Sequence, residues 1–290
     1  MITIFTPVYN RKDNILKLKN SLDAQTNKNF EWLIVDDGST DGFENIVNNW
    51  KSQSTNYQIN YLKQSNQGKH IAFNNGVVHA KGDWFFCVDS DDYLNDTAIS
   101  KIYNDIGFLT NKEVGLIYPR KMSNVNDQDQ WSKINGMDLD VMDLRDVYKI
   151  KESAIILREG DIKRLQFPKF ANEKFLPESW LYQKLIPIGK FKAINEPIYI
   201  SEYLEAGLTR NVWNLWQNNP EGIISILNEK YYLLKKYKGL LRFKSKIKCV
   251  INYNSLCLAA GKSIFHQTPS KIMSCVCFFP SLYFYHKRYK

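Results

Sequence analysis

Nowhere in the 290-residue chain do about 18 apolar positions follow one another, the length a helix needs to cross a bilayer, so no spanning segment is expected. Cysteine is scarce and odd in number. The five, Cys87, Cys249, Cys257, Cys275 and Cys277, lack zinc-ligand spacing, and reduced thiols in a cytosolic setting are the expectation. No basic flank or cleavage site accompanies the first apolar run, Met1 to Val8, so no secretory signal is read there. Internal repeats and low-complexity segments are missing too. The most informative absence is that of acid. Residues 230–290 hold thirteen Lys or Arg and no Asp or Glu, while the 229 residues before them hold 26 basic and 30 acidic side chains, a net charge of −4. The formal +9 therefore resides in the tail, which suits a polyanionic or membrane partner. No nucleic-acid-binding motif accompanies that charge, so nucleic acid is not expected as a partner.

Aromatic residues, by contrast, are plentiful, with 17 Tyr, 16 Phe and 7 Trp. Three of them open the most telling stretch, Trp84-Phe85-Phe86-Cys87-Val88-Asp89-Ser90-Asp91-Asp92. Apolar residues on both parities suit a strand buried on both faces, as in a parallel sheet. Acids where such a strand emerges lie at the carboxyl edge, where ligands of open α/β folds bind. Like charge so concentrated suits a hard divalent cation held by carboxylates and a substrate diphosphate. A solvated acidic turn is the other reading of the same residues.

Taken in order, the chain alternates strands and helices. Met1 to Val8 is a strand, and a helix with Asp13 as N-cap carries Ile15, Leu18 and Leu22 at helical spacing. Glu31 to Val35 is the second strand and also ends in acids, Asp36-Asp37-Gly38-Ser39-Thr40-Asp41. Phe43, Ile46, Val47 and Trp50 mark an amphipathic helix. A third strand, Ile59 to Lys63, leads through Asn66-Gln67-Gly68-Lys69 into a helix running to about His79 and ended by Gly82. Asp96 is placed as the cap of a helix carrying Ile99, Ile102 and Ile106. This alternation predicts an α/β fold with a mostly parallel sheet and helices on its faces. Both acidic strand ends and Lys69 then share one edge. One carboxylate there could meet a base N–H, another ribose hydroxyls, and a third a metal ion.

Four segments in this order, Thr6-Pro7-Val8-Tyr9-Asn10-Arg11, Val35-Asp36-Asp37-Gly38-Ser39-Thr40-Asp41, Asn66-Gln67-Gly68-Lys69 with Asn74 and Gly76, and Asp89-Ser90-Asp91-Asp92, resemble the ordered signatures of family 2 glycosyltransferases over roughly residues 1–210. The resemblance implies a GT-A-type, Rossmann-like fold and inverting transfer from a nucleoside diphosphate sugar, usually a UDP-sugar, with Mn²⁺ or Mg²⁺. By similarity Thr6, Pro7, Tyr9 and Arg11 belong to the nucleotide-sugar site, with Pro7 and Tyr9 lining the base pocket. Asp36 or Asp37 reads the base, Lys69, Asp89 and Ser90 complete the donor site with Asp89 near the ribose, and Asp91 is the metal ligand. Asp92 is read as orienting its neighbours.

Residues 119–150 are poor in pattern and read as a long loop over the site, before a strand from Ser153 to Leu157. Many relatives carry Glu-Asp before a helix with a basic and an apolar residue, the Asp serving as base. Aligning Glu178 with that Asp puts Lys184 and Leu185 on those two positions, although Pro177 replaces the first acid and Glu the second. A carboxylate there can take a proton from an acceptor hydroxyl. Glu173 is the rival base. After a last strand near Asn195 to Ile200, Glu202 to Thr209 resembles a subgroup that builds bacterial surface polysaccharides.

The domain expectation is a catalytic domain over residues 1–215 and a basic helical extension over 216–290. The acceptor is expected to be a glycan or a lipid-linked oligosaccharide. Aromatics beside basic residues in the tail suit an anionic membrane surface, giving a peripheral enzyme on the inner face of the cell membrane. Two rivals stand beside this reading. A nucleotidyltransferase calls for a Gly-rich phosphate loop after the first strand, and Thr6 to Arg11 has no Gly. A catalytically silent membrane-bound scaffold calls for eroded acids, and Asp36, Asp37, Asp89, Asp91 and Glu178 are all in place.

Overall fold

The computed structural model describes residues 1–53, 56–122, 127–201 and 211–290, so the subgroup-like stretch Glu202 to Thr209 lies outside the described residues. The chain packs into two compact units, Met1–Phe167 with Lys184–Leu204, and Pro168–Gln183 with Glu205–Lys290.

The first unit begins β1 (Ile2–Val8), α1 (Leu16–Asp23), β2 (Phe30–Asp36), α2 (Phe43–Ser52), β3 (Gln58–Lys63), α3 (Lys69–His79) and β4 (Trp84–Cys87). These four strands pair in parallel, in the order β3-β2-β1-β4. Every residue of β2 is buried, as expected of a strand covered on both faces. Helix α2 covers one face, its Trp50 stacking on Trp32 of β2 at 5.5 Å. Helix α3 covers β1 closely because Gly76 faces Phe5: a Cβ there would come within 2.5 Å of the phenyl ring. Register does the rest. Val8 pairs with Asp36 and Phe5 with Cys87, so the segments after β1, β2 and β4 leave the sheet at one edge.

The unit continues with β5 (Tyr93–Leu94), α4 (Ala98–Ile106), β6 (Glu113–Met122), α5 (Gln128–Ile134), β7 (Asp138–Leu139), α6 (Val141–Asp146), β8 (Ser153–Arg158) and α7 (Glu159–Ile162). After α8 (Ser179–Leu185) come β9 (Lys190–Ala193) and β10 (Tyr199–Ser201). The full sheet runs β3-β2-β1-β4-β8-β6-β10-β5, with β9 on β6 and β7 on β9. β8 is antiparallel to both its neighbours, which restores β6 to the direction of β4 and aims its end at the same edge.

Several local expectations are corrected. Asp13 does not cap α1; the chain enters by a turn in which Arg11 O accepts from Asn14 N and Ile15 N, and Ile15 is the N-cap. Nor does Asp96 cap α4, whose N-cap is Thr97, with no side-chain bond to the first helical amides. Gly82 does not end α3, which stops at His79. It is glycine because a Cβ would lie 2.6 Å from Thr3 N and 2.7 Å from Met1 O, in the backbone at the start of β1. The described part of residues 119–150 is not a long loop: it holds the end of β6, α5, β7 and α6. Trp131, Ile134, Met142 and Leu144 are buried there, and Asp140 and Asp143 form a reciprocal capping box on α6.

The second unit is helical: α9 (Val212–Asn218), α10 (Pro220–Leu233), α11 (Gly239–Ala259), α12 (Lys271–Val276) and α13 (Phe278–Tyr289). Pro220 occupies the first turn of α10, where its missing N–H costs nothing. The next two amides, Glu221 N and Gly222 N, donate to the Glu173 carboxylate at 2.7 and 2.9 Å. No helix among the described residues is long and apolar enough to cross a membrane.

Candidate active site

The shared edge is built by carboxylates that hold loops. Asp36 is fully buried; its Oδ1 accepts from Ser39 N at 2.7 Å and its Oδ2 from Tyr61 OH at 2.6 Å. Asp37 Oδ1 accepts from Gln64 Nε2 and Gln67 N, and Oδ2 from Gly68 N, all at 2.8 Å. Asn10 adds a third tie, donating its N–H to Ser39 Oγ at 2.9 Å and accepting from Thr40 N at 2.8 Å. The turns after β1, β2 and β3 are thus stapled into one wall. Of the two acids read for the base, Asp36 has no surface to offer, while Asp37 keeps 4 % exposure. Thr6 faces inward as well, fully buried with its hydroxyl accepting from Trp32 Nε1 at 3.0 Å. Tyr9, half exposed, lies on the open side of the wall, and Pro7 and Arg11 are partly exposed.

Beyond β4 the three acids take different environments within one turn, closed by Asp92 N donating to Asp89 O. Asp89 is gripped by Lys69 Nζ at 2.6 Å and Arg120 NH2 at 3.2 Å. Burial by itself raises a carboxyl pKa, but these two cations outweigh it and hold Asp89 well below the usual carboxylate range. Asp92 is 5 % exposed and accepts from Tyr199 OH at 2.6 Å, with Arg120 NH1 at 3.7 Å. Burial first, then the charges of Asp89 and Asp91, push it up to about 6 against the opposing pull of Arg120 and the Tyr199 hydrogen bond. Asp91 differs from both: it is partly exposed and has neither a hydrogen bond nor an ion pair among the described residues. Ser90 is buried between them.

Arg120 and Tyr199 were not read from the sequence. They are neighbours across β6 and β10, the guanidinium lying 4.3 Å from the Tyr199 ring centroid and donating to its hydroxyl at 3.1 Å. The available signal was an apolar run, Val114 to Tyr118, delivering a base to the carboxyl edge.

Glu178 belongs to the second unit. It stands just before α8, where its backbone O accepts from Tyr182 N at 3.2 Å and its Oε2 from Tyr182 OH at 3.0 Å. The rival Glu173 is spent on the first amides of α10.

His70, the second residue of α3, is 3 % exposed and packs edge-on to Phe167 at 6.2 Å. Burial lowers its pKa to about 4, only partly countered by the Asp37 charge. Between about pH 6.5 and 4 the unfolded chain takes up a proton that the folded one refuses, so stability falls through that window, by roughly 2–3 kcal/mol. In urea titrations from pH 7 to 4, His70→Gln is expected to lose stability less steeply than wild type. Parallel slopes would remove His70 as the cause.

Residues 3–164 match the model of glycosyl transferase family 2. That is more than half of the chain, which belongs to this family and is a glycosyltransferase. It is 23 % identical over 248 residues to glycosyltransferase GlyA of Streptococcus pneumoniae, covering 80 % of this chain but 34 % of GlyA, so it spans about a third of that relative's length. S. aureus TarS 1–349 in complex with UDP-GlcNAc superposes with a TM-score of 0.64 at 17 % identity, over 99 % of this chain and 91 % of the other. The mannosyltransferase PcManGT of Pyrobaculum calidifontis, in complex with GDP-Man and Mn²⁺, gives 0.57 at 14 % identity, over 97 % and 75 %. The fold is thus the GT-A type.

Proposed function

We propose that the enzyme moves one sugar, with inversion, from a nucleoside diphosphate sugar to a hydroxyl of a glycan or lipid-linked acceptor in surface polysaccharide synthesis. A UDP-sugar is the favoured donor, in line with the UDP-GlcNAc held by TarS. The observation that carries this reading is the division of labour in the acidic turn. Asp89 and Asp92 are neutralised or clamped by Lys69, Arg120 and Tyr199, whereas Asp91 is left open.

An open, partly exposed carboxylate is a hard oxygen donor of the kind Mn²⁺ or Mg²⁺ takes together with a diphosphate, so the residues present fit such an ion with Asp91 as its ligand. When bound, the ion stabilises charge on the leaving diphosphate. The chain's own groups do the remainder. Tyr9 and Pro7 offer a face to the base, and of Asp36 and Asp37 it is Asp37 that keeps an exposed edge. Lys69 and Arg120 fix Asp89 toward the ribose. Glu178 takes the proton of the acceptor hydroxyl during in-line attack, an assignment that rests on its register in the family pattern and on the commitment of Glu173 elsewhere.

The test is hydrolysis of a panel of nucleotide sugars by the purified chain, with and without Mn²⁺. Release of nucleoside diphosphate from one donor, dependent on the metal, is expected. A chain that binds no donor, alone or with Mn²⁺, would instead be the scaffold.

A further inference from the structure

α12 and α13 wear their amphipathicity inside out. Hydrogen bonds run through their junction, from Cys277 N to Met273 O and from Ser281 N to Cys277 O, both 2.9 Å, so one helical phase carries across both. The inward face consists of small residues, with Ser274 and Ser281 fully buried and Cys277 3 % exposed. That face is tied to α11 by polar bonds, Asn254 Nδ2 donating to Ser274 O and Ser255 Oγ to Ser281 O, each at 2.9 Å. The large apolar side chains point the other way. Ile272, Val276, Phe279 and Tyr283 are 78, 69, 79 and 60 % exposed, and their i, i+4, i+7, i+11 spacing aligns them in a single stripe.

A contiguous apolar stripe left in water marks an interaction surface. Its surroundings specify the partner. Exposed Lys271 flanks one end, and His286, Lys287 and Lys290 continue the same side of the helix at the other. No acid occurs anywhere in residues 230–290. A second copy of the stripe would bring two basic rims together with no carboxylate between them. An anionic lipid leaflet satisfies both components, apolar side chains entering the boundary between headgroups and acyl chains while lysines meet lipid phosphates. Neither helix is long enough to span, which fits a helix lying in the plane of the surface.

We propose that the Ile272–Tyr283 stripe is a membrane-docking face for an anionic leaflet. It stands on this unit's geometry alone, whatever acceptor the enzyme uses. The test is flotation of the full chain with vesicles of phosphatidylcholine, or of phosphatidylcholine and phosphatidylglycerol in roughly equal parts, comparing wild type with Ile272→Ser/Val276→Ser/Phe279→Ser. Wild type is expected to float with the anionic vesicles, at least about tenfold more strongly than with phosphatidylcholine alone. The triple variant is expected to lose about tenfold or more of that binding at an unchanged circular dichroism spectrum. Phe279→Ser alone replaces it should the triple variant's spectrum change. Wild type that stays off anionic vesicles, or serine variants that bind as wild type does, would overturn the proposal. So would a wild-type dimer in sedimentation velocity that the serine changes dissolve, which would assign the stripe to a second copy.

Discussion

Asp91→Ala is expected to abolish metal-dependent release of nucleoside diphosphate, lowering the rate by about 10³-fold or more while leaving the fold intact. The expected loss is large because the role proposed for Asp91 is electrostatic at the leaving group, a contribution of several kcal/mol, each 1.4 kcal/mol of which is about tenfold in rate. The fold should survive because Asp91 makes no hydrogen bond or ion pair among the described residues. Asp89→Asn is the contrasting change. It removes the anion that Lys69 and Arg120 share and leaves two cations facing one another, so it should disturb structure as well as rate. Circular dichroism, thermal unfolding and donor hydrolysis together check the pair. Asp91→Ala that hydrolyses donor at the wild-type rate with Mn²⁺ would remove it as the metal ligand.

Glu178→Gln should lower transfer to the acceptor by about 10²–10⁴-fold, the usual contribution of a positioned general base. The amide keeps an oxygen for the Tyr182 hydroxyl, which now donates to the carboxylate at 3.0 Å, so the local structure should persist. Glu173→Ala is the control, with the opposite signature. It frees the amides of Glu221 and Gly222 at the start of α10 and should cost roughly 1–2 kcal/mol of stability, with transfer per folded molecule nearly unchanged. The check is kcat measured beside Tm for both variants. A large kcat loss in Glu173→Ala with none in Glu178→Gln would reverse the assignment.

The first half of the sheet was legible because β1, β2 and β4 are apolar on both parities and α2 and α3 sit between them at regular intervals. The 119–150 region was not, because α5, β7 and α6 are short and owe their burial to tertiary pairing: β7 exists only through β9, which shares its other side with β6. The site divides in the same way. Acids clustered in sequence at 36–37 and 89–92 announced themselves. Arg120 and Tyr199 are 79 residues apart and become neighbours only when β10 docks on β6, so nothing local to either marks it. Asp36 illustrates the converse: its place in the motif was visible, but its full burial under Tyr61 and Ser39 was not.

The stapled wall has a thermodynamic consequence. Asp37 holds Gln64, Gln67 and Gly68, while Asn10 holds Ser39 and Thr40, so three separate turns are immobilised when the chain folds. Their ordering entropy is therefore settled before any nucleotide arrives, and a ligand entering this edge gives up only its own freedom. A surface braced in this way favours selection by refusing misfits over selection by adapting to them. Discrimination between donors then rests on whatever side chains project from that fixed frame.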